Sequence, residues 1–204
     1  MNMIWQGRRM ERLPNTLTVI RILLTFLFLF FIFKTGIFFK ILATIVFLVA
    51  SFTDFFDGYL AKKHNVHSNF GKLMDPIADK FLVLSAFFVF VQLHLIAIWM
   101  FVLILFREVV VTFLRFLGMA NGKVMPAEKA GKYKTVSQMA VIWFILLFLI
   151  LRESSLFYQW THPFFLNWQA GIYVLMLFVV TVTLGSGLTY LWHNRRFVYV
   201  SSPD

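Results

Sequence analysis

The sequence predicts an all-α integral membrane protein with six transmembrane helices, an N-terminal amphipathic surface segment and both termini in the cytoplasm. The 204 residues are 60% hydrophobic and only 14% charged, far from the composition of soluble domains. The apolar residues form runs of about 20, the length that crosses the hydrocarbon core of a bilayer. Lys and Arg concentrate at one set of run ends, and this asymmetry orients a membrane protein.

Charge and cysteine content exclude several functional classes. A net charge of +10 could indicate nucleic-acid binding, but the basic residues lie in short segments between apolar runs, which argues against it. The absence of Cys excludes disulfides, a thiolate nucleophile and zinc sites built on sulfur. No repeat or second domain is visible, so we expect one membrane domain over 1–204 with its helical bundle at 18–192.

The N-terminal segment, 1–17, is predicted to lie on the membrane surface. It mixes Trp5 with several arginines, a combination typical of interfacial amphipathic helices. Pro14 and Asn15 then provide a break and a cap before the first span. The apolar stretch that follows has no small-residue cleavage site and is followed by further apolar runs, so we do not interpret it as a signal peptide.

Six apolar segments are predicted to span the membrane, at 18–34, 38–59, 73–93, 95–118, 134–151 and 170–192. With alternating direction, most Lys and Arg fall on one side, whereas Lys34, Lys40 and Arg152 fall on the other. Because cytoplasmic loops carry the excess of basic residues, the first side is cytoplasmic. Snorkelling to the interface can explain each basic residue inside a span, namely Arg21, Lys80, Arg107 and Arg115.

Four aspartates lie near the cytoplasmic ends of the second and third spans. Asp54 and Asp57 are three residues apart, and Asp75 and Asp79 are four apart, so each pair projects from one helical face. The loop between the spans is short, which predicts antiparallel neighbours whose acidic faces meet.

Such a cluster needs a compensating positive charge. Carboxylates inside a membrane segment are costly, and converging carboxylates also repel one another. Ion pairs with Lys62, Lys72 and Lys80 are one explanation. All-oxygen coordination by clustered carboxylates suits Mg²⁺, Mn²⁺ or Ca²⁺, and we favour a metal site over purely structural ion pairs.

The aspartates belong to a longer pattern. Residues 54–62 read DFFDGYLAK, eight residues follow, and 71–79 read GKLMDPIAD. This segment resembles the signature of the CDP-alcohol phosphotransferases, D-x2-D-G-x2-A-R, eight residues, then G-x3-D-x3-D. Lys62 departs from it, because it keeps the positive charge of the usual Arg but loses the bidentate fork.

The resemblance implies a site and a mechanism. Two divalent cations, Mg²⁺ or Mn²⁺, would be held by Asp54, Asp57, Asp75 and Asp79. Asp79 would also be the catalytic general base that takes the proton of the acceptor hydroxyl. The glycines would let a nucleotide approach the backbone closely, although helix packing also favours small residues. The residues implied to bind the CDP-linked lipid are Asp54, Asp57, Gly58, Ala61, Lys62, Gly71 and Asp75.

Basic residues in the fourth and fifth spans predict an anionic acceptor. Arg107, Glu108, Thr112 and Arg115 are spaced to share a helical face, and the pattern GKYKT opens the fifth span. We predict that the acceptor's phosphate is bound by Arg107, Arg115, Lys132 and Lys134. Choline or ethanolamine would be repelled by these cations. The competing interpretation is a local Arg107–Glu108 ion pair or a general attraction to anionic lipid.

Further patterns resemble bacterial phosphatidylglycerophosphate synthases: PNTLTxxR ending at Arg21, R-E-x3-T-x2-R, G-K-x-K-T, and S-G-x2-Y ending at Tyr190. The resemblance implies transfer of the phosphatidyl group of CDP-diacylglycerol to sn-glycerol 3-phosphate, with release of CMP. It also implies a homodimer in the bacterial inner membrane with its active site facing the cytoplasm.

Two alternatives stay open. The same fold serves other anionic acceptors, such as phosphatidylglycerol in a cardiolipin synthase or an inositol phosphate in a phosphatidylinositol phosphate synthase. From another class, a divalent-cation transporter could use intramembrane acids as an ion path. The gathering of the acids on one side of the membrane argues against the transporter.

Overall fold

The computed structural model describes residues 18–64, 69–120, 129–154 and 162–199, and within them the regular secondary structure is entirely helical. This confirms the all-α class and the number of helical segments. The N-terminal segment 1–17 lies outside the described residues. The helices are α1 (Thr18–Ile32), α2 (Ile37–His64), α3 (Asn69–Gln92), α4 (Ile98–Ala120), α5 (Lys129–Glu153) and α6 (His162–Tyr199).

Several helices extend beyond the apolar runs that predicted them. Helix α2 continues to His64, α5 already begins at Lys129, and α6 covers His162–Tyr199. Hydropathy marks where a helix can contact lipid, whereas the helix itself ends where its backbone hydrogen bonding ends. Lys, Ala and Leu are good helix formers, so the helices continue into the basic segments that flank the apolar runs.

The described residues divide into two compact units, 18–89 with 146–154 and 90–145 with 162–199. In the first unit, helix α1 packs against α2 through Phe28 and Phe47, whose ring centroids are 5.4 Å apart. It packs against α3 through Phe26 and Phe81, at 5.8 Å. In the second unit, α4 packs against α6, and the buried apolar side chains include Met100, Ile104, Ile142, Ile145, Met176 and Val179.

The α1–α2 turn is closed by polar contacts within the first unit. Lys40 Nζ donates to the carbonyl oxygens of Ile32 and Lys34, at 2.6 and 2.9 Å, and so satisfies groups that the end of α1 leaves without helical partners. Gly36 has a φ of 103°, a conformation that glycine adopts without strain. Its N–H donates to Glu153 Oε2 at 3.2 Å.

The surface carries many large apolar side chains. Phe38 is 67% exposed and Trp192 is 70% exposed, and Phe, Leu, Ile and Val on every helix are similarly placed. Two stretches, Gly131–Glu153 and Asn167–His193, are long and apolar enough to cross a bilayer, and less than half of each is buried within the protein. Soluble proteins rarely expose apolar surface on this scale, so the distribution is typical of lipid-facing helices.

Candidate functional site

The four aspartates lie on the two helices predicted to carry them. Asp54 and Asp57 are in α2, and Asp75 and Asp79 are in α3. Because both segments are helical, the spacing within each pair places its two residues on one face of its own helix. Both helical segments belong to the first unit.

The side chains of residues 54–64 and 69–79 are outside those that the structure describes. The convergence of the two acidic faces therefore stays a prediction, as do the roles of Gly58, Ala61, Lys62 and Gly71. Among the side chains that are described, no group of three or more His, Asp or Glu residues could hold a metal ion. The four aspartates are not among these described side chains.

Arg21 of α1 lies in the same unit and does not snorkel. It is only 1% exposed and is among the largest fully buried side chains. Buried charges in proteins are generally paired or bound to ions. The snorkelling interpretation is therefore wrong for Arg21. It is also wrong for Arg107, which is 9% exposed.

A buried polar cluster occupies the second unit, where three helices contribute to it. On α4, Arg107 Nη1 donates to Glu108 Oε1 at 3.3 Å. On α5, Lys134 Nζ donates to the same carboxylate oxygen. From α6, Ser186 Oγ accepts a hydrogen bond from Arg107 Nη2 at 3.0 Å. We call these four residues the Glu108 cluster.

The hydrogen bonding continues from this cluster along α5 and α6. Ser186 Oγ donates to the carbonyl oxygen of Thr183 at 2.8 Å, and Gln138 Nε2 donates to Thr183 Oγ1 at 3.4 Å. All of these residues are buried. Buried polar groups are costly unless they are hydrogen-bonded, so the network ties the three helices together.

Gly187 leaves the space that Arg107 occupies. A Cβ atom at this position would lie 2.9 Å from Arg107 Cγ and 3.3 Å from its Nε. Tyr190, one helical turn further along α6, is also buried, at 3% exposed. The serine and glycine of the S-G-x2-Y pattern therefore both lie next to Arg107, the arginine of the R-E pattern. The sequence alone did not reveal this arrangement.

The structure joins two of the four residues predicted to bind the acceptor's phosphate. Arg107 and Lys134 meet at Glu108, so the ion pair named as the competing interpretation is present. Among the described residues, this cluster therefore contains two cations and one carboxylate. Arg115 is half-buried on α4, and Lys132 is exposed on α5. Neither is joined to the Glu108 cluster by a hydrogen bond or an ion pair among the described contacts.

A protein-family model and several known proteins are similar to this chain, and all of them are phosphatidyltransferases. Residues 11–184 match the model of the CDP-alcohol phosphatidyltransferase family. The chain is 45% identical over 103 residues to the CDP-diacylglycerol–glycerol-3-phosphate 3-phosphatidyltransferase of Bacillus subtilis, covering 50% of this chain and 53% of that protein. It is 37% identical over 139 residues to the protein of the same name in Rickettsia typhi, covering 68% and 78%.

A third relative has a different name. The probable phosphatidylglycerophosphate synthase of Mycobacterium tuberculosis is 39% identical over 137 residues, covering 66% of this chain and 65% of that protein. The matched region spans about half the length of the Bacillus subtilis relative. It also spans about half of a similar protein from Treponema pallidum.

Proposed function

The chain belongs to the CDP-alcohol phosphatidyltransferase family, and we propose that it transfers the phosphatidyl group of CDP-diacylglycerol to sn-glycerol 3-phosphate. The products would be phosphatidylglycerophosphate and CMP. The names of bacterial relatives support this reaction. The single structural observation that carries the choice of acceptor is the meeting of two buried cations, Arg107 and Lys134, in the Glu108 cluster.

The cluster has the chemistry of a phosphate site. Buried cations are costly unless negative charge accompanies them, and the phosphate of an anionic acceptor would contribute such charge. The planar fork of Arg107 suits bidentate binding of phosphate. Its Nε is buried and has no hydrogen-bond acceptor in the part of the chain that the structure describes. Arg115 and Lys132 would add positive charge from the same two helices.

The aspartates suit the donor half of the reaction. Carboxylate oxygens are the ligands that Mg²⁺ and Mn²⁺ prefer, and helical backbone at both pairs gives each pair a common face. We propose that Asp54, Asp57, Asp75 and Asp79 hold two such cations. When bound, these cations would neutralise the diphosphate of the CDP-linked lipid and stabilise the leaving CMP.

Asp79 would act as the general base in the transfer. It would take the proton of the glycerol 3-phosphate hydroxyl while that oxygen forms its bond to the phosphorus of the phosphatidyl group. The bond from this phosphorus to the oxygen of the CMP portion breaks, and CMP leaves. Gly58, Ala61, Lys62 and Gly71 would line the path of the nucleotide.

The proposal includes a membrane topology. All six helices would span the bacterial inner membrane, with both termini and the active site on the cytoplasmic side. The water-soluble substrate glycerol 3-phosphate and the water-soluble product CMP are both found on that side. The basic ends of the helices support this orientation. We also propose a homodimer, as the family resemblance implies.

The test is an acceptor panel with purified protein in detergent. CDP-diacylglycerol would be supplied with radiolabelled glycerol 3-phosphate, serine, inositol phosphate or phosphatidylglycerol, in the presence of Mg²⁺ or Mn²⁺. We expect CMP release only with glycerol 3-phosphate. Release with phosphatidylglycerol alone would instead support a cardiolipin synthase. Metal uptake into proteoliposomes without CMP formation would support a transporter.

A further inference from the structure

We infer that Glu108 is a positioning residue of the acceptor site, because it fixes Arg107 of α4 and Lys134 of α5 in the arrangement that receives the acceptor's phosphate. The inference rests on the proposed function and deepens it. The negative charge of Glu108 would by itself repel an anionic ligand, so its presence between the two cations requires a separate explanation.

The geometry assigns Glu108 this role. A single oxygen, Oε1, accepts hydrogen bonds from both Arg107 Nη1 and Lys134 Nζ. The two donors are cations from different helices, and all three side chains are at least nine-tenths buried. Like charges repel strongly at short range in a buried environment. The carboxylate that they share offsets this repulsion and so favours their proximity.

Ser186 fixes the other side of the guanidinium group. Ser186 donates its single hydroxyl proton to the carbonyl oxygen of Thr183 at 2.8 Å. Ser186 Oγ must therefore be the acceptor in its hydrogen bond with Arg107 Nη2. This contact is 3.0 Å long. Arg107 is thus held by Glu108 from its own helix and by Ser186 from α6, and its orientation is defined before any ligand binds.

Pre-organisation and charge make opposite predictions for the loss of Glu108. Replacement by glutamine removes one negative charge from the cluster and so makes it more positive by one unit. If charge alone governed the site, glycerol 3-phosphate would bind more tightly and its KM would fall. If positioning governs, the two cations move apart and the KM rises. The sign of the change separates the two explanations.

The experiment measures steady-state kinetics of the full chain in detergent with glycerol 3-phosphate and CDP-diacylglycerol varied separately. For Glu108→Gln we expect the KM for glycerol 3-phosphate to rise about 10- to 100-fold, the range for losing a hydrogen bond to a charged group. The KM for CDP-diacylglycerol should stay within about twofold. Glu108→Asp keeps the carboxylate on a shorter side chain and should give an intermediate KM.

Two further variants keep the inference testable if Glu108→Gln folds poorly. Ser186→Ala removes one hydrogen bond to Arg107 without removing a charge, and we expect the same KM to rise about 3- to 10-fold. Glu153→Gln is the matched control, since Glu153, at the end of α5, is likewise a glutamate whose carboxylate accepts a hydrogen bond, in its case from Gly36 N. Because Glu153 is not one of the residues of the Glu108 cluster, Glu153→Gln should leave both KM values unchanged, whatever its effect on thermal stability.

The outcomes separate the two levels of the proposal. If the wild-type protein releases no CMP with glycerol 3-phosphate, the proposed function fails and the inference fails with it. If the wild-type protein is active but Ser186→Ala leaves the KM for glycerol 3-phosphate unchanged, or Glu108→Gln lowers it, only the inference is overturned. A selective rise in both variants supports it.

Discussion

Gly187 shows how one missing side chain can leave room for a large neighbouring one, here that of Arg107. In a helix interior, Gly→Ala usually stabilises by about 0.5–1 kcal/mol. At Gly187 the new methyl group would meet Arg107 Cγ at 2.9 Å, and overpacking of a buried site costs about 1–3 kcal/mol. We therefore expect Gly187→Ala to lower the thermal unfolding temperature and to raise the KM for glycerol 3-phosphate.

Gly185 provides the matched control, two residues away on the same helix. A Cβ there would have nothing within 4 Å, so Gly185→Ala should be neutral or slightly stabilising and should leave the kinetics unchanged. Both variants are compared by thermal unfolding in detergent and by steady-state assay. Equal behaviour of the two would contradict the packing of Arg107 against Gly187.

At the residue scale, the sequence indicated the kinds of groups in the proposed acceptor site but not how they combine. Glu108 and Lys134 are 26 residues apart, and Arg107 and Ser186 are 79 apart. Local spacing places residues on a helical face, but it does not say which faces of separate helices meet. For the same reason, the sequence did not distinguish a buried Arg107 from one that snorkels to the interface.

At the scale of elements, the α1–α2 turn depends on a buried lysine. Lys40 is 4% exposed, and its ammonium group binds two carbonyl oxygens of the turn. Lys40→Met would leave these oxygens without their charged donor, at a cost of about 1–3 kcal/mol. We expect a lower unfolding temperature with unchanged KM values, measured on the same purified protein.

Lys34 is the control for that substitution. Its side chain is exposed and lies over the ring of Phe30 at 5.1 Å, a contact worth about 0.5–1 kcal/mol at exposed sites. Lys34→Met keeps the backbone carbonyl that Lys40 binds. If Lys34→Met destabilises the protein as much as Lys40→Met, the capping role of Lys40 is wrong.

The existence of each helix was predictable because a run of about 20 apolar residues in a polytopic protein has few other stable conformations. The ends were less predictable. Helix α5 includes the GKYKT pattern within its first turns, whereas the sequence placed the start of the span at 134. Polar residues at a helix end carry no hydropathy signal, so only the backbone shows where the helix begins.

At the scale of the whole molecule, the lack of cysteine makes the proposed topology directly testable. Single cysteines would be introduced by Ser202→Cys near the C-terminus and Ser154→Cys after α5. A membrane-impermeant maleimide should label Ser202→Cys only in inverted vesicles and Ser154→Cys only in intact spheroplasts. The cysteine-free wild type is the control, and the reverse labelling pattern would contradict the cytoplasmic location of the C-terminus.

Divalent cations held by aspartates on α2 and α3 are central to the proposed reaction, together with an anionic acceptor bound by a cationic cluster. The most direct test measures CMP and phosphatidylglycerophosphate formed from CDP-diacylglycerol and glycerol 3-phosphate, before and after complete chelation. We predict equimolar products, full loss of activity with EDTA, and recovery on adding Mg²⁺ or Mn²⁺. Undiminished product formation in the chelated protein would contradict the account.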